Sequence, residues 1–115
     1  MARIRTIKPE FWSSEQVMSC SISARLLFVG MLNFADDNGV IRGSYIYLKA
    51  KIFPADDFNP LVIDEWMCEL VNNNLVHKYT VSPKEVYFYI TGFSKHQRID
   101  KPTPSSLPMP EDYES

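Results

Sequence analysis

The chain lacks the signatures of a membrane span, a disulfide frame or a nucleotide-hydrolysing loop. No stretch approaches the ~18 consecutive apolar residues of a spanning helix. The N-terminus is basic but no long apolar run follows, so no signal peptide is expected. The two cysteines, Cys20 and Cys68, sit far apart, which fits a reduced cytosolic protein better than a disulfide. Cys20, Cys68, His77 and His96 form no C-x-x-C or H-x-x-x-H pair, which argues against a metal site. There is no G-x-x-x-x-G-K-[ST] loop and no G-x-S-x-G nucleophile elbow. Neither enzymatic chemistry nor a cofactor is expected. There is no internal repeat.

Excess positive charge is also missing. The net charge of −2 argues against a wholesale nucleic-acid binder. Its distribution says more. Glu111, Asp112 and Glu114 lie in a Pro-rich tail, so the rest of the chain is slightly basic. Arg3, Arg5 and Lys8 open the chain with no acid among them, and Lys95, Arg98 and Lys101 gather near its other end against Asp100.

What is present suits one domain with a real core: 115 residues, 45% of them apolar and 13% aromatic. The strongest local signal predicts a helix over Asn59–Asn74. Asn59 is a good N-cap and Pro60 suits the first helical position. Phe58 and Ile63 are placed for a hydrophobic staple. Ile63, Trp66, Met67, Leu70 and Val71 recur at helical spacing as one buried stripe. Asp64, Glu65, Cys68, Glu69 and Asn72 fall on the opposite face. The run Asn72–Asn74 can supply a residue that tolerates positive φ and ends the helix.

The other elements follow in order. Residues 1–20 read as a basic strand or arm, anchored by Phe11 and Trp12, and a short helix carrying Val17. Residues 21–101 read as the domain proper. Ser21 or Ser23 can cap a helix over about 22–36, with Leu27, Gly30, Met31 and Phe34 inward and a close helix contact at Gly30. Asp36–Gly39 is a turn, and Val40 and Ile41 a very short strand. Ser44 caps a helix from Tyr45 to Phe53, with Ile46, Ala50 and Phe53 pointing one way. Leu75–Val81 and Val86–Ile90 make a hairpin around Ser82-Pro83-Lys84-Glu85. Phe93 and Ile99 can pin the stretch after it. Residues 102–115, with their prolines, serines and acids, read as a linker or disordered tail, as if a second domain had followed. The sum is an α+β, mostly helical chain in winged helix-turn-helix order: three core helices plus a two- to three-stranded wing.

Five strings carry a resemblance: RIRTIKPEFW (3–12), ARLLF (24–28), DDNG (36–39), LKAKIFP (48–54) and KHQRIDKP (95–102). In this order they resemble the N-terminal domain of phage replication-initiation and replisome-organiser proteins. That group is similar in fold to the N-terminal winged-helix domain of DnaD-type primosome proteins. The resemblance implies a winged helix acting in origin recognition or helicase recruitment in a bacterial host cell, often with self-association. It makes Arg3, Arg5, Lys8, Lys95, His96, Gln97 and Arg98 family-typical polar positions, none with a catalytic role. Two departures stand out. The family's C-terminal region, which binds single strands or the helicase loader, is not in this sequence, so full replication function is not implied. Asn73 and Asn74 stand where the family often has Gly.

A helix that reads DNA offers arginine or lysine to guanine and phosphate. The 59–74 helix offers neither and carries Asp64, Glu65 and Glu69. DNA contact is therefore expected through Arg3, Arg5, Lys8, Lys95, His96 and Arg98, with Lys78 and Lys84 on the wing. About four to six phosphate contacts would give weak, salt-dependent affinity. The competing expectation is a protein-binding module on the same fold, such as a phage inhibitor of a host or anti-phage defence complex. It would use Asp64, Glu65, Cys68, Glu69 and Asn72 against a basic partner. A transcriptional repressor is a lesser alternative, because it needs a basic reading helix.

Overall fold

The computed structural model describes residues 2–97, 99, 103–104 and 107–110. A 3-10 turn over Pro9–Ser13 leads into helix α1 (Glu15–Met18) and helix α2 (Ile22–Phe34). Strand β1 (Val40–Arg42), helix α3 (Tyr45–Ile52) and helix α4 (Val62–Asn72) follow. Strands β2 (Val76–Ser82) and β3 (Glu85–Ile90) form a hairpin, and helix α5 (Phe93–His96) comes after it. The fold is α+β, with an antiparallel sheet ordered β1-β3-β2. No helix among the described residues is long and apolar enough to cross a membrane.

Helix α2 starts where Ser21 accepts a hydrogen bond from the Ala24 N–H, so Ser21 rather than Ser23 is the cap. Its inner face is wider than the spacing suggested. Ala24, Leu27, Phe28, Met31 and Leu32 are buried, while Phe34 is only half-buried. At Gly30 a Cβ would lie 2.5 Å from Ile52 Cγ2, so the missing side chain is what lets α2 and α3 approach. Ser44 caps α3 by accepting from the Tyr47 N–H. The inward face of α3 differs from expectation: Leu48 is buried, whereas Ile46 is 72% exposed and Ala50 faces solvent. Only Phe53, just past the helix, points in as expected. The helix is too short for one stripe to settle its rotation.

Helix α4 begins later than its caps suggested. Asn59–Leu61 form a preliminary turn, in which Asn59 Oδ1 accepts the Leu61 N–H and the Asn59 carbonyl accepts the Val62 N–H. Phe58 meets Phe53 and Trp66 at ring-centroid distances of 5.5 and 5.3 Å and closes the α3–α4 turn. The expected stripe faces in: Ile63, Met67 and Leu70 are buried, and Trp66 and Val71 are half-buried against the core. The asparagine run ends the helix as anticipated. Asn74 takes φ 59°, the Leu75 N–H reaches the Leu70 carbonyl, and the Asn74 N–H reaches the Val71 carbonyl, which is a Schellman stop.

The two faces of the sheet do different work. Ile41, Val76, Phe88 and Ile90 join the helices in the main core. Val40, Tyr79 and Tyr87 share the outer face, where Leu107 and Met109 pack on them. The Tyr79 hydroxyl donates to the Pro108 carbonyl, and burial pushes its ionisation well above the ordinary phenol value. Phe93 is buried in the main core and Ile99 packs against it, as expected.

Candidate nucleic-acid interface

The N-terminal arm is bonded to α2 at Asn33 and to Gln97, just past α5. The N-terminal segment is an extended arm, not a strand. Arg3 pairs with Asn33 through two bonds of 2.8 Å, its N–H donating to the Asn33 carbonyl and its carbonyl accepting from Asn33 Nδ2. Phe11 stacks on Phe28 at 5.7 Å, so it anchors the arm as expected. Trp12 does not. It packs edge-on against Phe11 and stays 56% exposed.

The basic residues of the arm split into two kinds. Arg5 is not available to a phosphate, contrary to expectation. Its side chain is only 5% exposed. Its guanidinium donates to the carbonyls of Leu32, Ala35 and Asp36 and to Asp37, and lies 5.0 Å from the Phe93 ring centroid. It satisfies carbonyls that the end of α2 leaves free. Arg3 is partly exposed, at 3.7 Å from Asp37.

Asp37 is where arm, turn and tail meet. It accepts from Arg5 Nη2 and, at 3.0 Å, from the Thr103 N–H. The Thr103 bond is the largest influence holding its carboxyl below the ordinary value; desolvation opposes it, and Arg5 and Arg3 reinforce it. Sequence spacing offers no signal for this role, since DDNG reads only as a turn.

Lys8 remains exposed and reaches across the seam, its Nζ donating to the Lys95 carbonyl at 3.4 Å. Lys95 and His96 are exposed beside it on α5. Two basic stretches 87 residues apart in sequence thus come together. Gln97, buried beneath them, joins α5 to the arm by bonding the Thr6 backbone. Arg98 lies outside the described residues. Lys84 sits exposed at the hairpin tip and Lys78 exposed on β2.

The acidic face of α4 is likewise divided. Glu69 accepts from the Ser21 N–H at 2.6 Å and the Ser21 hydroxyl at 2.8 Å, completing the cap of α2 from another helix. It is half-buried and engaged with Ser21, and so is not the free outward acid expected. Asp64 bonds the Tyr45 hydroxyl, whose pKa is raised by burial first and by Asp64 second. Glu65, Cys68 and Asn72 remain exposed, a row at helical spacing with no cation. The Cys20 thiol is buried and pushed up by desolvation and by Glu69. The described residues contain no His, Cys, Asp and Glu cluster able to hold a metal ion.

Comparison with protein-family models, curated proteins and solved structures finds no match to this chain.

Proposed function

We propose that the chain is a phage-type winged-helix module of replication initiation that touches DNA weakly, through phosphates, while joining a protein assembly. The observation that carries this reading is the meeting of Lys8 with residue 95 at one seam. Exposed Lys95 and His96 extend that patch, and Lys78 and Lys84 provide cations on the hairpin. The order α2–β1–α3–α4–β2–β3, with the sheet ordered β1-β3-β2, supports a winged helix-turn-helix. The resemblance of the five strings supports the replication setting. By position α4 is the reading helix, yet its exposed row of Glu65, Cys68 and Asn72 offers phosphate no cation. Contact is therefore assigned to the lysines, with Arg5 excluded by its burial. Such binding falls steeply with salt and carries little sequence preference.

Titrating duplex DNA at rising salt tests this reading. The parent chain binds at low salt, and replacing Lys8 and Lys95 by Glu weakens it at least tenfold and flattens the salt slope by about two phosphate contacts. Absence of binding at low salt would remove the nucleic-acid half.

A second reading rests on the exposed α4 row. An acid beside neutral residues on a regular helix suits a basic protein surface, whether a replication partner or a host or defence complex. Glu65→Lys is the decisive change here, because reversing Glu69 would also unfasten α2. Loss of partner capture by Glu65→Lys with stability intact supports this reading, and unchanged capture sinks it.

A further inference from the structure

The outer face of the sheet is built for a cover. Antiparallel sheets commonly leave one face to solvent and line it with polar residues. Here the residues that alternate onto that face are His77, Tyr79, Val81, Tyr87 and Tyr89, with Val40 from β1. The rings run across the strands, Tyr79 stacking on Tyr87 at 5.9 Å and on His77 at 6.3 Å. The cover is the chain's own proline-rich tail. Leu107 and Met109 pack on this face, and the hydroxyl of the buried Tyr79 donates to the Pro108 carbonyl. Thr103 is fastened to Asp37, and Pro104 and Leu107 line one depression with Arg42 and Tyr47. Pro108 and Pro110 carry no N–H, so this stretch is unsuited to extend the sheet as a strand and offers carbonyls instead. Aromatic surfaces are where extended proline-rich segments dock, and a phenol supplies the donor that their carbonyls need.

We propose that this face recognises Leu-Pro-x-Pro segments, that the tail occupies it in cis, and that a partner protein carrying a better-matched segment displaces the tail. The tether decides who can compete. Thr103 lies six residues beyond Gln97, which is itself bonded to Thr6, so the tail meets the face at an effective concentration of roughly millimolar. A second copy offers the same segment without that advantage and does not exchange at ordinary concentrations. The prolines give no N–H to the sheet, so the tail leaves without breaking a strand ladder. None of these residues belongs to the patch of Lys8 and Lys95, and the site does not depend on the nucleic-acid reading.

The test uses the full chain, labelled with nitrogen-15, and a peptide with the sequence of residues 103–110, TPSSLPMP. Leu107→Asp with Met109→Asp releases the tail and leaves the face intact. This opened chain is expected to bind the peptide saturably, with shifts at the amides of Val40, Tyr79 and Tyr87, at least tenfold more tightly than the parent chain does. Leu107→Ser alone, a milder change, gives an intermediate gain and carries the test if the double variant does not fold. The peptide with Pro108→Ala and Pro110→Ala binds about tenfold more weakly. Adding Tyr79→Phe to the opened chain keeps the ring, removes the donor and weakens the peptide about fivefold. No saturable shifts, equal affinity in parent and opened chains, or indifference to the prolines or to the Tyr79 hydroxyl would each overturn the proposal. So would a concentration-dependent dimer of the parent chain formed by tail exchange, or an eight-residue oligothymidylate that binds the opened face more tightly than the peptide.

Discussion

Gln97 treats the backbone of Thr6 as a neighbouring strand would. Its Oε1 accepts the Thr6 N–H at 2.9 Å and its Nε2 donates to the Thr6 carbonyl at 2.9 Å. One buried amide side chain thus supplies the pairing that the arm would otherwise find in a sheet.

Gln97→Leu removes both bonds and leaves the Thr6 amide without a partner. It is expected to cost about 1–3 kcal/mol, read from the midpoint of urea unfolding. The Lys8 amide shift should move with it, because the arm loses its tether. An unchanged midpoint would show that the arm is held without this contact.

Glu69 and Ser21 are expected to be coupled. Glu69→Ala removes both bonds and Ser21→Ala the hydroxyl one, so the double variant should be less destabilised than the sum of the singles. A coupling of about 0.5–3 kcal/mol is expected. Simple additivity would mean that Glu69 does not complete the cap of α2.

Gly30→Ala pits helix propensity against space. Removing a helical glycine gains roughly 1 kcal/mol. The new methyl, however, meets Ile52 Cγ2 at 2.5 Å, and a β-branched side chain has little freedom to turn away. Net destabilisation of about 1–2 kcal/mol is expected. Adding Ile52→Ala should recover part of it, and thermal melts of the three variants decide the matter.

Asp37 makes stability depend on pH in a definite direction. Its folded-state value lies below the ordinary 3.8, with the Thr103 bond the largest cause and the two arginines helping. The contribution is therefore complete above 3.8 and is lost as pH falls through the lower folded value. Asp37→Asn should remove this part of the acid sensitivity. Unfolding at neutral pH and at pH values below 3.8 compares the two chains.

The sequence was most legible where local chemistry decides. The stripe from Ile63 to Val71, the asparagine stop at Asn74, the Ser44 cap and the hairpin around Pro83 all depend on neighbours within a few residues. Three points needed the assembled fold. The rotation of α3 depends on what α2 presents at Gly30. The fate of Arg5 depends on the carbonyls at the far end of α2, and that of Glu69 on Ser21. Charge marks such residues as interesting, but only packing tells an outward cation or acid from one turned inward. Leu107 and Met109 were hidden differently: proline-rich composition masks two apolar side chains that find the outer face of the sheet.

The meeting at Asp37 also bears on the order of events in folding and opening. One carboxylate closes a 32-residue loop to Arg5 and a 66-residue loop to Thr103. Long closures are entropically disfavoured until both partners are already placed. The helices and the hairpin can assemble from nearer contacts, so arm and tail dock afterwards and release first. Hydrogen exchange should show the amides of Arg3, Thr6 and Thr103 opening together, at lower free energy than those of α4 and β3.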